Sequence, residues 1–245
     1  MRRLWMSLLL VPVMVAAVAS AAWASPATSA VRTARAARTQ AAAAASALQP
    51  GMSGAKVKAL QQRLAALKYY PGKIDGHFGT NTLEAVWAFY EVQGLTPRNY
   101  VSSAMKRALA HPRAPRKLVR HPGANRIEIS LSREVLVLYR NNKVQLISHV
   151  SSGGHYYFCS PGGGCGYAVT PTGNFRTRVF MRGWVHVPLG EMYNPVFFIG
   201  TAYAIHGDTY VPLAPVSHGC VRIPMDIAAF FHKLVKVPGE PVYIR

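Results

Sequence analysis

The sequence predicts a mostly β domain, sandwich or barrel-like with one late helix, preceded by a small three-helix bundle. Three observations predict it. Between Leu48 and Leu109 apolar residues recur every three or four positions; from Arg126 onward they alternate with polar ones in short runs broken by Gly and Pro; and one amphipathic helical run, MDIAAFFHKLVK, stands near the end.

In chain order, Arg2 and Arg3 precede the apolar run LWMSLLLVPVMVAAVASAAWA, and Ala22-Trp23-Ala24 has the small-x-small pattern of a signal cleavage site. Residues 1–24 are expected to be a signal peptide; left uncleaved, residues 4–24 are long enough for a membrane anchor, the one route to a membrane. Residues 25–47 are rich in Ala and Arg, present no apolar face and read as a linker. Residues 48–110 form the bundle. Val57, Leu60, Leu64 and Leu67 stripe its first helix, Asn81 and Glu84 stand as a capping box for the second, and SSAMKRALA makes a third. Residues 111–124, basic and Pro-punctuated, read as a second linker before a domain over 125–245. There, RIEISLS, REVLVLYR, KVQLISHV, NFRTRVFMR, NPVFFIG, AYAIHG and EPVYIR read as strands, Asn141-Asn142 as a tight turn, and Asp226 as the cap of the late helix.

The formal charge is +19, about +17 once Arg2 and Arg3 are set aside, against nine carboxylates. Such a surface attracts polyanions. Nucleic acid is not the expected partner of an exported chain without an aromatic–basic pattern; anionic wall polymers are, beside the plain reading that the charge keeps the chain soluble. There are three cysteines. Cys159 and Cys165 bracket CSPGGGC and are the candidate disulfide pair, whose closure would stabilise by roughly 2 kcal/mol. Three free thiols or another pairing remain open alternatives. If the pair forms, Cys220 is the odd thiol of an oxidising compartment.

The bundle carries Gly51 and Gly54, Leu60-Gln61, the turn Ile74-Asp75-Gly76-x-Phe78-Gly79, and Ala85-Val86. These residues make Leu48 to Leu109 resemble a peptidoglycan-binding module of the three-helix kind. The resemblance implies binding to the bacterial wall; Tyr90 departs from the glutamine common there.

In PVSHGCVRIP, His218 and Cys220 stand two residues apart. On an extended strand both would point to one face, so the imidazole could take the thiol proton and later protonate a leaving amine. Gly219 lets a substrate carbonyl approach, and the N–H groups of Gly219 and Cys220 are candidate oxyanion donors. His206, which ends the strand run AYAIH and is followed by Gly207, can return to the same place through a Pro-containing loop. Three His/Cys side chains could also ligate zinc, but no fourth ligand stands at a recognisable spacing. Burial of Cys220 in a plain strand leaves Gly219 unexplained. The histidines at 111, 121, 149, 155, 186 and 232 have no identifiable partner and read as surface or loop.

His206-Gly207 followed by Ser217-His218-Gly219-Cys220-Val221-Arg222 resembles the catalytic motif of the L,D-transpeptidase family. RIEISLSREVLVLY, Thr170-Pro171-Thr172-Gly173 and GEMYNPVFF agree, and the likeness spans about Asn125 to Arg245. The resemblance implies a peptidoglycan cross-linking enzyme without cofactor or metal, acting on stem peptides and glycan in the extracytoplasmic space. Cys220 would attack the third residue of a donor tetrapeptide, release D-alanine and hold a thioester that a neighbouring stem amine resolves into a 3→3 cross-link. It further implies that the Gly207 carbonyl orients the His218 imidazole. Arg222 steadies the site or holds a stem carboxylate, and Ser217, His206 and Tyr193 line the substrate pocket. An L,D-carboxypeptidase using water as acceptor, and a non-catalytic wall-binding protein, are the competing readings.

Overall fold

The computed structural model describes Val31 and residues 47–245. The expected signal segment, and all of residues 25–47 except Val31 and Ala47, lie outside the described residues. The described residues 47–245 belong to one compact unit.

Helix α1 (Ala55–Ala66) buries Val57, Leu60 and Leu64, and ends where Lys68 takes a left-handed conformation. Helix α2 (Thr80–Gln93) starts from Gly79 and stops at left-handed Gly94. The expected Asn81–Glu84 capping box is not formed: the Asn81 amide donates to the Asp226 carboxylate, and Glu84 is buried. Helix α3 (Ser103–Ala110) is capped by the Ser102 hydroxyl, which accepts from Met105 N–H at 3.1 Å. Buried Gln61 ties these elements together. Its amide nitrogen reaches Asp75 Oδ1, His77 O and Thr82 Oγ1 at 2.9–3.1 Å, and its oxygen accepts from Gly76 N–H at 2.8 Å. Asp75 and Gly76 thus shape the turn.

The β part runs β1 (Arg126–Ser130), β2 (Val135–Arg140), β3 (Lys143–His149), β4 (Tyr157–Cys159), β5 (Cys165–Tyr167), β6 (Gly173–Arg176), β7 (Trp184–Val187), β8 (Gly190–Ile199), β9 (Tyr203–Asp208), β10 (Val221–Pro224), α4 (Met225–Leu234) and β11 (Pro241–Ile244). One sheet has the order β3-β2-β1-β11-β6, the other β10-β9-β8-β7, and β4-β5 is a separate hairpin. Strands β4, β5 and β7, of three or four residues each, fall outside the runs that read as strands in the sequence. Asp226 lies in the first turn of α4, where its charge suits the helix N-terminus, but its side chain does not cap.

The core between the sheets and α4 is built from Ile127, Ile129, Leu136, Leu138, Val196, Phe198, Ile205, Val221, Ile223, Ile227 and Phe231. Strand β2 is buried on both faces. Leu136 and Leu138 point into that core, whereas Val135, Val137 and Tyr139 join Ile147 of β3 against the helices. Fully burying an aliphatic side chain of this size is worth on the order of 1.5–3 kcal/mol. Three of them at this junction outweigh the modest cost of closing a linker. The bundle is therefore a third layer packed on the sandwich. The expected linker is held as well: Gln93 exchanges two hydrogen bonds with the Arg113 backbone, and Leu118 N–H donates to Glu128 at 2.6 Å.

Candidate active site

Parallel pairing of β9 with β10 sets Arg222 beside His206 and Val221 beside Ile205. This register brings the two histidine motifs together across ten intervening residues. The extended-strand expectation for His218-Gly219-Cys220 does not hold, because β10 begins only at Val221 and the three residues before it bend. The bend is stapled by Ser217. Its hydroxyl donates to Cys220 O at 2.5 Å and accepts from Gly219 N–H at 3.0 Å. The Ser217 hydroxyl is thus engaged in loop geometry while the residue stays in the cleft lining, and the Gly219 N–H is not free for an oxyanion. The Cys220 N–H is the remaining donor of the expected pair.

Gly219 has another reason to be glycine. Its φ is +139°, and a Cβ there would lie 2.6 Å from the Tyr203 ring and 2.8 Å from Val169 O. Its carbonyl accepts from Thr170 Oγ1 at 2.8 Å, which gives the Thr-Pro-Thr-Gly phrase a place in the site. Gly219→Ala is expected to destabilise by about 2–4 kcal/mol, from backbone strain plus the backbone clash. A thermal melt within a degree of the parent would overturn that account.

Cys220 is the free cysteine, half-buried, with Sγ accepting from Ala204 N–H at 3.4 Å and lying 4.0 Å from Met192 Sδ. Burial pushes its pKa up, against the Ala204 hydrogen bond and the positive charge of Arg222. The resting group is a thiol and needs a base.

The imidazole held by Gly207 is that of His206. Its Nδ1 stands 2.9 Å from Gly207 O, and a carbonyl only accepts, so Nδ1 carries the proton and Nε2 has the lone pair. The expectation that Gly207 orients His218 is corrected accordingly. His206 is buried, and burial holds its pKa below the ordinary value despite the opposing pull of Gly207 and Asp208. It is neutral near pH 7, as a proton acceptor must be. Gly207 itself is obligatory, since a Cβ would meet Ala228 Cβ at 2.6 Å under α4.

His218 has a different setting. Its ring is flanked edge-on by Tyr156 and Phe158, at centroid distances of 5.6 and 4.7 Å. Burial, then Arg222, lower its pKa. Arg222 Nε pairs with Asp208 Oδ2 at 3.1 Å, so its charge is partly committed within the site. Tyr193 stands opposite Gly207 on β8 and packs with the sandwich core, while its neighbour Met192 faces the cleft. Tyr193 is therefore not a lining residue; strand alternation turns it away.

The cleft measures about 660 Å³ and is lined by His206, His218, Cys220 and Arg222 together with the apolar Met181, Val185, Val187 and Met192. Phe158, Ser160, Gly164 and Cys165 of the β4–β5 hairpin also line it. Cys159 and Cys165 form a disulfide across that hairpin. The sequence reading missed Phe158, Met192 and Tyr203 in the lining; the glycine loop between the cysteines was the one signal that the hairpin was a built object. Among the described residues no group of three His, Cys, Asp or Glu side chains could hold a metal ion.

A family model described as the L,D-transpeptidase catalytic domain matches residues 124–244, and a peptidoglycan binding domain model matches residues 53–109. Among solved structures, the chain is similar to the L,D-transpeptidase from Xylanimonas cellulosilytica at 32% identity and a TM-score of 0.75, covering 81% of this chain and 97% of that one. It also matches the L,D-transpeptidase from Stackebrandtia nassauensis at 17% identity and a TM-score of 0.45, covering 80% of this chain and 94% of that one. Comparison with curated proteins finds no match.

Proposed function

The chain belongs to the L,D-transpeptidase family, and from that premise we propose that it is an exported wall enzyme forming 3→3 cross-links through a thioester on Cys220. One observation carries the reading. The Cys220 thiol and the His206 imidazole, with its Nδ1–H fixed on Gly207 O, line one cleft. Nε2 of His206 takes the thiol proton as Sγ attacks the carbonyl of the third stem residue. The imidazolium then protonates the departing D-alanine amine, leaving the thioester. The acceptor amine attacks next, gives its proton to His206, and displaces the thiolate, which recovers the proton. The Cys220 N–H and the ring of His218 stand ready for the developing oxyanion or the bound peptide. The wall-binding layer and the basic surface favour a peptidoglycan and anionic-polymer setting.

Purified protein incubated with disaccharide-tetrapeptide is expected to yield cross-linked dimer and free D-alanine in equal amounts by mass spectrometry. Tripeptide with D-alanine and no dimer would replace transpeptidation by an L,D-carboxypeptidase. No D-alanine release would leave only wall binding.

A further inference from the structure

The segment 209–216, which joins Asp208 to Ser217 of the cleft lining and so forms a rim between them, contains no helix or strand. Residues 149–154 run beneath it and hold it by its backbone. His149 Nε2 meets Pro212 O at 3.0 Å, Ser151 Oγ donates to Ala214 O at 2.8 Å, and Val216 N–H donates to Ser151 Oγ at 3.2 Å. Ser217 N–H then donates to Ser152 O, and Gly154 N–H to Ser217 O, both at 2.9 Å. The rim therefore has the shape that this inner strip gives it, and it delivers Ser217 and Cys220 at its end.

The strip is fastened in turn from two sides. Glu134 accepts from Ser152 N–H and Oγ–H at 2.7 and 2.6 Å. Glu91, on helix α2, places both carboxylate oxygens 2.9 and 3.1 Å from His149 Nδ1, and Trp87 lies edge-on to the same ring at 5.4 Å. His149, expected at the surface, is 1% exposed, so its ring nitrogens have no water to replace these partners. Facing a carbonyl, Nε2 must carry a proton, so a second proton lies between Nδ1 and Glu91. A junction needed only for stability would be served by apolar side chains, as Val135, Val137 and Ile147 already serve it. The buried polar pair sits instead where the helical layer comes beneath the rim.

We propose that Glu91 and His149 are positioning residues of the reaction centre: the helical layer, through Glu91, holds the His149 ring on the Pro212 carbonyl and so sets the rim that ends in Ser217 and Cys220. The inference rests on Cys220 being the reacting group. It makes the wall-binding layer part of the catalytic geometry as well as an anchor.

The test compares Glu91→Ala, Glu91→Gln and His149→Phe in the full chain by hydrogen exchange, by iodoacetamide alkylation of Cys220 and by steady-state kinetics. Glu91→Ala and His149→Phe are expected to speed exchange at the 209–217 amides and to lower kcat by about tenfold or more with KM little changed, the cost of a small displacement of reacting groups. Glu91→Gln, whose amide can donate to Nδ1, is expected to restore both. Should Glu91→Ala not fold, His149→Phe carries the same expectation. Unaltered exchange at 209–217, or faster exchange spread evenly over the sandwich, would overturn the proposal. If the parent protein turned over no stem peptide, the transpeptidase reading would fail, while exchange and alkylation would still decide whether Glu91 and His149 position the rim and its thiol.

Discussion

Cys220→Ala is expected to abolish both D-alanine release and cross-link formation, lowering turnover by at least about four orders of magnitude. The size follows from the chemistry. Without Sγ there is no atom to hold the acyl group, and a direct attack of amine on amide must proceed in one harder step. The remaining cleft keeps only binding and hydrogen-bond donors. With Cys159 and Cys165 joined, Cys220 is the free thiol of the chain. The parent should therefore take up one equivalent of iodoacetamide without reductant, and the variant none. Full turnover by Cys220→Ala would remove the nucleophile assignment outright.

His206→Gln is expected to lower kcat/KM by about two to four orders of magnitude, the usual contribution of a positioned general base. Glutamine can keep a hydrogen bond to Gly207 O but cannot take the thiol proton. His218→Gln should cost about tenfold or less, since the ring of His218 is held by Tyr156 and Phe158 and its orientation is not fixed by a carbonyl. The pH dependence follows from the same base. Below its pKa His206 is protonated and cannot act as base, so activity falls as pH falls through that value. Burial places that value below the ordinary imidazole pKa, so the acid limb of kcat/KM should lie at lower pH than a free imidazole would give. A larger loss in His218→Gln than in His206→Gln would return the base role to His218.

The two histidines show why spacing alone points to His218 as base whereas the proposed mechanism uses His206. His218 is nearer to Cys220 in sequence, and an extended strand would align them. The bend held by Ser217 breaks that alignment, and pairing of β9 with β10 brings His206 alongside instead. Hydrogen-bond direction, which decides the tautomer, has no signature in residue types. Tyr193 differs from expectation because it packs with the sandwich core while its strand neighbour Met192 faces the cleft, an alternation whose sense the residue types alone do not give. His149 had no partner within reach in sequence, and its partner Glu91 lies 58 residues away on a helix of another layer.

The sequence by itself determined the architecture class, the family and the chemical inventory of the site. Periodicity of three to four and of two are local properties of the backbone, and the SHGC and HG runs name a thiol and two imidazoles wherever the chain takes them. Only the tertiary structure decided which imidazole is held by the Gly207 carbonyl, why Gly207 and Gly219 admit no side chain, and how closely the helical layer bears on the rim. Those are matters of register, backbone angle and burial between segments far apart in the chain, and they are settled by packing free energy that no short stretch of residues carries.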